Sequence, residues 1–471
     1  MRLVIVSNRV NRPEPGGKTA SGGLAVALTK VLRIHGGVWF GWSGKVVEEP
    51  FLMPKVRTTG GITYSTIDLS PQDHREYYEG FANRSLWPIM HYRLDLVEFS
   101  RIDLSGYMRV NEIFADALAA FIKPDDVIWV HDYHLIPLGE ELRKHGITNP
   151  IGFFNHIPWP PFEIFCALPG SRSLLRSLSG YDLVGVQTQG DADNLTGCLV
   201  RDIGAKRSYL GLIMPNGKNL KVQSFPIGLD SEFIKKMAVE ASTTSQLLKI
   251  TESLTGQDLV IGVDRLDYSK GVVGRMEAFE SLLIKNPERK GKVTLLQISP
   301  NSRMSLPKYE AVHREVNEAA GRINGSCGEL NWVPIRYVTK PYKRALLSAL
   351  YRKAKVGLVT PMRDGMNLVA KEYVASQNSL DPGVLILSRF AGAAEQMSGA
   401  IIVNPYDQAL MGQAIEDALN MSKKERIARW RPMMKDLEKE DVEWWTTRFL
   451  KDLKLEVKNL NVRRNLRHKF V

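Results

Sequence analysis

Asp364 and Asn367, within Arg363-Asp364-Gly365-Met366-Asn367, offer a carboxylate and an amide at spacing suited to holding sugar hydroxyls. The apolar run Val356–Val359 before them reads as a buried strand, and Leu368 to Ala375 after them as a helix. A loop leaving the carboxyl edge of a parallel strand for a helix N-terminus is where α/β proteins hold anions and sugars. The first amides of that helix suit a phosphate, and Glu372 suits a diol such as a ribose. A lone Asp-Gly loop is more often a simple helix cap, so the weight comes from other loops of the same character.

Asp264-Arg265-Leu266-Asp267-Tyr268-Ser269-Lys270-Gly271 leaves the strand Leu259–Val263. Arg265, with its fixed fork, and Lys270, a point charge, suit a diphosphate leaving group. Arg303, in Ser299-Pro300-Asn301-Ser302-Arg303, adds a cation beyond the next strand. Ser7-Asn8-Arg9 leaves the first strand, and Gly22-Gly23 opens the next helix, an arrangement suited to an anion. Neither a dinucleotide fingerprint nor a P-loop is present. His131-Asp132-Tyr133-His134 and His156 each follow a buried strand. They lack the company of ligands that a metal needs, which favours sugar or sugar-phosphate contact. Tyr78 and Trp87 are aromatic residues in a polar segment, read either as core or as a sugar-stacking wall.

The elements that must position these residues alternate β and α patterns along nearly all 471 residues. A chain of this length exceeds one ordinary core of about 150 residues. Strands are expected at Leu3–Val6, Val127–Val130, Ile151–Phe154, Leu183–Val186 and Val222–Phe225, with helices at Val110–Ile122 and Ala192–Asp202. A second series runs Leu259–Val263, Val293–Ile298, Trp332–Tyr337, Val356–Val359, Val384–Leu387 and Ala400–Val403. The helical, polar stretch Ser231–Thr255 separates them. The expectation is α/β, two doubly wound parallel-sheet domains facing across a cleft. Residues 1–235 form the first domain and 236–440 the second, while 441–471 form a helical segment that packs back on the first. Trp444-Trp445 in that segment reads as core.

Hydrophobic content of 44% with 24% charged residues excludes a disordered chain. No run approaches the roughly 20 apolar residues of a membrane span, and the first apolar stretch is too short for a signal peptide. Cys166, Cys198 and Cys327 are odd in number and scattered, which points to ordinary thiols in a reducing cytoplasm. The net charge of +12 is interspersed with acid, except in the tail Arg463–Lys469, read as a frayed, solvated terminus and not an RNA contact. A basic balance suits phosphorylated, anionic substrates without invoking nucleic acid.

Taken together, Val6-Ser7-Asn8-Arg9, Phe40-Gly41-Trp42-Ser43-Gly44, Trp129 to His134, Arg265 to Gly271 and Arg363 to Glu372 closely resemble the bacterial trehalose-phosphate-synthase family. That family comprises retaining glycosyltransferases of GT-B architecture. The resemblance implies transfer of glucose from UDP-glucose to glucose 6-phosphate, with no cofactor and no metal. By position, Arg9, Tyr78, Trp87, Asp132 and Arg303 resemble the family's acceptor residues. Gly22, Gly23, Arg265, Lys270, Tyr342, Asn367, Leu368, Val369, Ala370, Lys371 and Glu372 resemble its nucleotide-sugar residues. His156 and Asp364 resemble those holding the transferred glucose, so Asp132, His156, Arg265, Lys270 and Asp364 are the expected catalytic set. Two departures are visible: Tyr342 stands where many relatives have Phe, and Asn155 precedes His156 where an apolar residue is common.

The resemblance implies front-face transfer with retention, in which the protein orients the reactants and stabilises charge, with no covalent nucleophile. The alternative is a sister transferase using ADP- or GDP-glucose, or a glycerol 3-phosphate acceptor: base recognition often falls to backbone groups, while retention of Tyr78, Trp87 and Arg303 favours a hexose phosphate acceptor. A silent sugar-phosphate sensor is disfavoured because Arg265, Lys270 and Asp364 are all retained. No phosphatase module is expected in this chain, so a separate trehalose-phosphate phosphatase is the expected downstream partner. Partners are otherwise small molecules, with neither nucleic acid nor membrane. The sequence does not specify whether the chain forms a homo-oligomer.

Overall fold

A computed structural model describes residues 2–10, 23–51, 53–209, 211–303 and 306–467, with the backbone alone for Gly23, Leu24 and 457–467. The chain divides into two compact units: 1–227 with 442–471, and 228–441. The break precedes the helix Ser231–Ala241, so the expected boundary at 235 cuts into a helix that belongs wholly to the second unit. Asp230 caps that helix by accepting from the Phe233 amide, which starts it cleanly after the turn.

The first unit is built on ten strands: β1 (Arg2–Arg9), β2 (Gly37–Val46), β3 (Lys55–Thr59), β4 (Ile62–Leu69), β5 (Asp126–His131), β6 (Ile151–Phe154), β7 (Leu183–Val186), β8 (Lys206–Ser208), β9 (Gly211–Ile213) and β10 (Asn219–Ser224). Their order is β3-β4-β2-β1-β5-β6-β7-β10-β9-β8. The centre from β4 to β10 is parallel, and β3, β9 and β8 pair antiparallel at the two edges. The innermost strands β5, β6 and β7 are buried throughout and largely apolar, as parallel strands covered on both faces are. The edge strand β3 is exposed throughout. Neither it nor β2, β4, β8 and β9 was expected from the sequence: β3, β8 and β9 are short, and in the longer β2 and β4 the apolar residues are interrupted by glycine, serine, threonine and aspartate. The chain runs from β1 outward through β2 to β4 and then returns to β5 on the opposite side, so the strand order reverses between β1 and β5.

The second unit has six strands, all parallel: β11 (Asp258–Val263), β12 (Val293–Ile298), β13 (Ile335–Val338), β14 (Val356–Val359), β15 (Val384–Ser388) and β16 (Ile401–Val403). Their order, β13-β12-β11-β14-β15-β16, reverses between β11 and β14. Its core packs Val260, Leu295, Leu358 and Ile386 against Met276, Phe279 and Ile415. The run expected as a strand from Trp332 begins at Ile335. Trp332 instead donates its indole N–H to Thr294 across the core.

The last part of the described chain consists of three helices, Gln408–Asn420, Lys423–Lys439 and Val442–Arg467. The first two belong to the second unit and the third to the first. Trp445 is fully buried against Trp129 and Phe154, while Trp444 lies half-buried under Arg448. The tail expected to fray is helical to Arg467; residues beyond it lie outside the described ones. Among the described residues no helix is long and apolar enough to cross a membrane.

Candidate active site

In each unit some of the predicted residues stand at the carboxyl ends of the strands flanking the reversal, where open α/β sheets leave a crevice for ligands, while His156 follows β6 and Arg303 follows β12. In the first unit those strands are β1 and β5. Asp132 follows β5 with φ 79° and ψ 159°, a region that is otherwise almost confined to glycine and costs about 1–3 kcal/mol. A carboxylate held at that cost is a functional signal. The strain is held in place by neighbours: the Asp132 amide donates to the Phe154 carbonyl at 2.7 Å, and its Oδ1 accepts from the His156 amide at 3.3 Å.

Arg9 ends β1 exposed, its guanidinium 5.9 Å from the centre of the Trp42 ring and lying against Gly44, where a Cβ would come within 2.7 Å of it. Tyr78 lies 5.7 Å from Trp42 on one side and stacks on His134 at 5.9 Å on the other. A cation and a short aromatic wall thus stand at the reversal. Tyr78 is carried by a helix of unusually wide i→i+5 winding, His74–Leu86, which is pinned to β1 by the Tyr77 hydroxyl donating to Asn8 at 2.9 Å. Wide turns of this kind concentrate at functional sites. Trp87 is only 4% exposed, packed between His91 and Tyr133, so it presents an edge and no open stacking face.

His156 follows β6 half-buried among His131, Phe154 and Trp445. Gln187 accepts from the Ile227 amide with Oε1 and turns its Nε2 to His156 Nδ1 at 3.4 Å. That order leaves the His156 proton on Nε2, which meets His131 Nδ1 at 3.0 Å. Burial pushes His156 down to about 3, and burial together with the neighbouring His156 pushes His131 well below its usual value. Both rings are neutral.

In the second unit the flanking strands are β11 and β14. Beyond β11, Arg265 lies 3.8 Å from Asp267, and Arg303 donates to the Tyr309 hydroxyl at 2.6 Å and lies 3.7 Å from Asp267. Lys270 ends the same loop, ion-paired with Asp364 from the loop beyond β14. Gly271 follows at φ 63°, and a Cβ there would lie 2.7 Å from the Thr360 carbonyl, so only glycine lets the two loops close up. The Asp364 amide donates to Phe390, and Asn367 Nδ2 donates to Asp364 Oδ2 at 3.1 Å. Asn367, at φ 72°, caps the helix Leu368–Ser376 by accepting from Ala370 at 3.2 Å. The amides of Leu368 and Val369 ahead of it have no intrahelical acceptor.

Glu372 is ion-paired with Arg344 at 2.6 Å, and Tyr342 stands partly exposed just before the helix Arg344–Lys353. The Lys371 side chain is buried and turned to Gln396 at 2.6 Å, and burial pushes it down to about 7. Gly22 lies outside the described residues; Gly23 begins the helix Gly23–His35. No group of His, Cys, Asp and Glu among the described residues is arranged to hold a metal ion.

Sequence reasoning missed Gln187, Asp267, Tyr309 and Arg275, and it read Trp445 as core without its contact to His156. Arg275 alone had a readable signal: a charge in the apolar stripe Val272, Met276, Phe279 of the helix Val272–Lys285.

The model of glycosyltransferase family 20 matches residues 2–455. The trehalose-6-phosphate synthase of Sinorhizobium fredii is 51% identical over 455 residues, covering 96% of this chain and 98% of that protein. The chain is similar to the structure of a UDP-forming α,α-trehalose-phosphate synthase from Burkholderia xenovorans in complex with glucose 6-phosphate. TM-score is 0.92 at 44% identity, covering 96% of this chain and all of that one (100%). A structure from E. coli bound with UDP-2-fluoro glucose superposes with TM-score 0.91 at 44% identity, covering 96% and 99%.

Proposed function

The chain belongs to glycosyltransferase family 20, and from that premise we infer that it transfers glucose from UDP-glucose to glucose 6-phosphate, giving trehalose 6-phosphate and UDP. The observation that carries this reading is the near-complete match to relatives whose structures hold the acceptor and a donor analogue, on a chain that retains both clusters of strand-end residues. In the transfer the anomeric hydroxyl oxygen of the acceptor bonds to the donor's anomeric carbon on the face from which UDP departs. The carbon–oxygen bond to the diphosphate breaks, and the hydroxyl proton passes to the leaving diphosphate oxygen.

Arg265 and Lys270 neutralise the diphosphate as it departs, with the amides of Leu368 and Val369 assisting and Glu372 taking the ribose. In the second unit Asp364 and Asn367 are the groups for the glucosyl ring. In the first unit Arg9, Tyr78 and Asp132 are the groups for the acceptor, with Trp87 backing them. Fixed cations and amides aimed at developing charge supply the stabilisation, so the reaction requires no metal or cofactor. Free thiols at all three cysteines and phosphorylated substrates support a cytoplasmic site of action. The product keeps its phosphate, so a separate phosphatase completes the route to the free disaccharide.

The test is to supply glucose 6-phosphate with UDP-, ADP- and GDP-glucose in turn and to identify the product by NMR. An α,α-1,1-linked disaccharide phosphate from UDP-glucose is the expected result. Activity with another donor alone moves the chain to a sister specificity, and silence from folded, nucleotide-binding protein sinks the reading.

A further inference from the structure

Arg275 is fully buried, with a relative exposure of 0%, although a guanidinium is among the costliest groups to remove from water. It projects from the helix Val272–Lys285 under the carboxyl ends of β11 and β14. Its three nitrogens are spread over the two loops there and the neighbouring strand β12. Nη2 pairs with Asp264 at 2.7 Å and also reaches the Lys270 carbonyl at 3.3 Å; Nε donates to the Thr360 hydroxyl at 3.1 Å; and Nη1 donates to Gln297 at 3.1 Å. Asp264 is the residue immediately before Arg265, Lys270 is itself a cation of the site, and Thr360 begins the loop that ends in Asp364 and Asn367. The strand beneath makes room for the group: a Cβ at Gly262 would lie 2.7 Å from Arg275 Nη1.

We propose that Arg275 is a positioning residue for the diphosphate of the donor, stitching the loop of Arg265 and Lys270 to the loop of Asp364. This rests on the donor assignment above. The physical case is that a flexible Lys stabilises a departing charge only as well as its backbone is fixed. The two loops otherwise meet through the Met362 and Arg363 amides, which donate to the Ser269 carbonyl at 2.8 and 3.4 Å, and through the Lys270–Asp364 pair. A single planar fork contacts both at once, and with its pairing to Asp264 it holds them in one geometry. Burial pushes the Asp264 carboxyl above its usual range, and the Arg275 and Lys270 cations oppose that rise, so the three groups form one charged unit beneath the site. An apolar residue of similar size would fill the space and leave the Asp264 carboxylate, the Lys270 carbonyl and the Thr360 hydroxyl without the fork.

The test uses the full chain with Arg275→Met, Arg275→Lys and Thr360→Val. UDP affinity is read by calorimetry, KM is read for each substrate, and folding is read by circular dichroism. Arg275→Met is expected to weaken UDP binding and raise the KM for UDP-glucose tenfold or more, with the KM for glucose 6-phosphate within twofold. Arg275→Lys should recover part of that loss. Thr360→Val, which removes a single contact, should raise the UDP-glucose KM about threefold, and it decides the matter if Arg275→Met does not fold. Unaltered UDP affinity in a folded variant overturns the proposal, as does an equal rise in both KM values, which would mark a general structural role. A wild-type chain that binds UDP but makes no disaccharide phosphate would refute the function without touching this inference, since the UDP-binding arm still reads it.

Discussion

The Lys270 ammonium and the Asp364 carboxylate, 94 residues apart in sequence, are ion-paired across the point where the second sheet reverses its strand order. Each is also the group assigned to a different part of the donor, Lys270 to the diphosphate and Asp364 to the glucosyl ring. Asn367 Nδ2 donates to the same Asp364 oxygen at 3.1 Å, so that carboxylate is held by both loops.

Lys270→Ala and Arg265→Ala are each expected to lower kcat by about 10²–10³, the range for removing one preorganised group that meets developing charge. Stability should change little for Arg265, whose side chain is exposed. Steady-state kinetics on folded variants check this; undiminished turnover would remove the residue from the diphosphate site.

Arg9→Ala should act on the acceptor instead. Arg9 is exposed at the end of β1 beside Trp42, so its loss should raise the KM for glucose 6-phosphate by roughly tenfold to a hundredfold, as expected for one charge-assisted contact of about 1.5–3 kcal/mol. The KM for UDP-glucose should stay within about twofold on the same argument. Equal effects on the two substrates would contradict the assignment.

Gly106 and Gly80 let the helices Arg101–Ala119 and His74–Leu86 interlock. A Cβ on Gly106 would lie 2.2 Å from Glu76 Cβ, and one on Gly80 would lie 2.5 Å from the Asp103 carboxyl carbon. Gly106→Ala is expected to destabilise the chain by about 1–3 kcal/mol by overpacking, and to weaken acceptor binding because the displaced helix carries Tyr78. Thermal unfolding and the KM for glucose 6-phosphate report the two effects separately. A stable variant with wild-type KM would show that the helices can slide apart at no cost.

His131 and His156 are held neutral in the folded protein, His156 down to about 3, whereas both titrate near about 6.5 when unfolded. Between those values the unfolded chain binds the protons and the native one does not, so stability rises with pH through that window and is flat above it with respect to these groups. Each histidine contributes up to about 1.4 kcal/mol per pH unit inside the window. Denaturant unfolding between pH 4 and 8 (about the span of the window) should show the rise, and His156→Gln should flatten part of it. An unchanged slope in that variant would place the titration elsewhere.

Trp445→Ala should cost about 3–5 kcal/mol, because the ring is fully buried against Trp129, Phe154 and the His131–His156 pair, and its loss leaves a cavity behind the His156 ring. Calorimetric unfolding measures the cost, and a loss under 1 kcal/mol (well below about 3) would mean that the Val442–Arg467 helix is loosely docked.

The buried parallel strands were legible in the sequence because a strand covered on both faces must be a continuous apolar run. Ile151–Phe154, Leu183–Val186, Val293–Ile298 and Val356–Val359 all fall where that run does. The residues after those runs were legible too, since the polar groups at a parallel strand's carboxyl end are confined to the loop that follows, and Asp132, Lys270 and Asp364 are all there. What the sequence left open was every relation between distant segments. Nothing local says that β5 returns beside β1 or β14 beside β11, and those two reversals are what bring Arg9 near the Asp132 loop and Lys270 onto Asp364. Trp445 reaches His156 and Arg275 reaches Thr360 only because helices pack over strands far from them in the chain. Periodicity encodes which face a residue turns inward; which other residue waits there is decided by sheet order and packing, over separations to which no short pattern is sensitive.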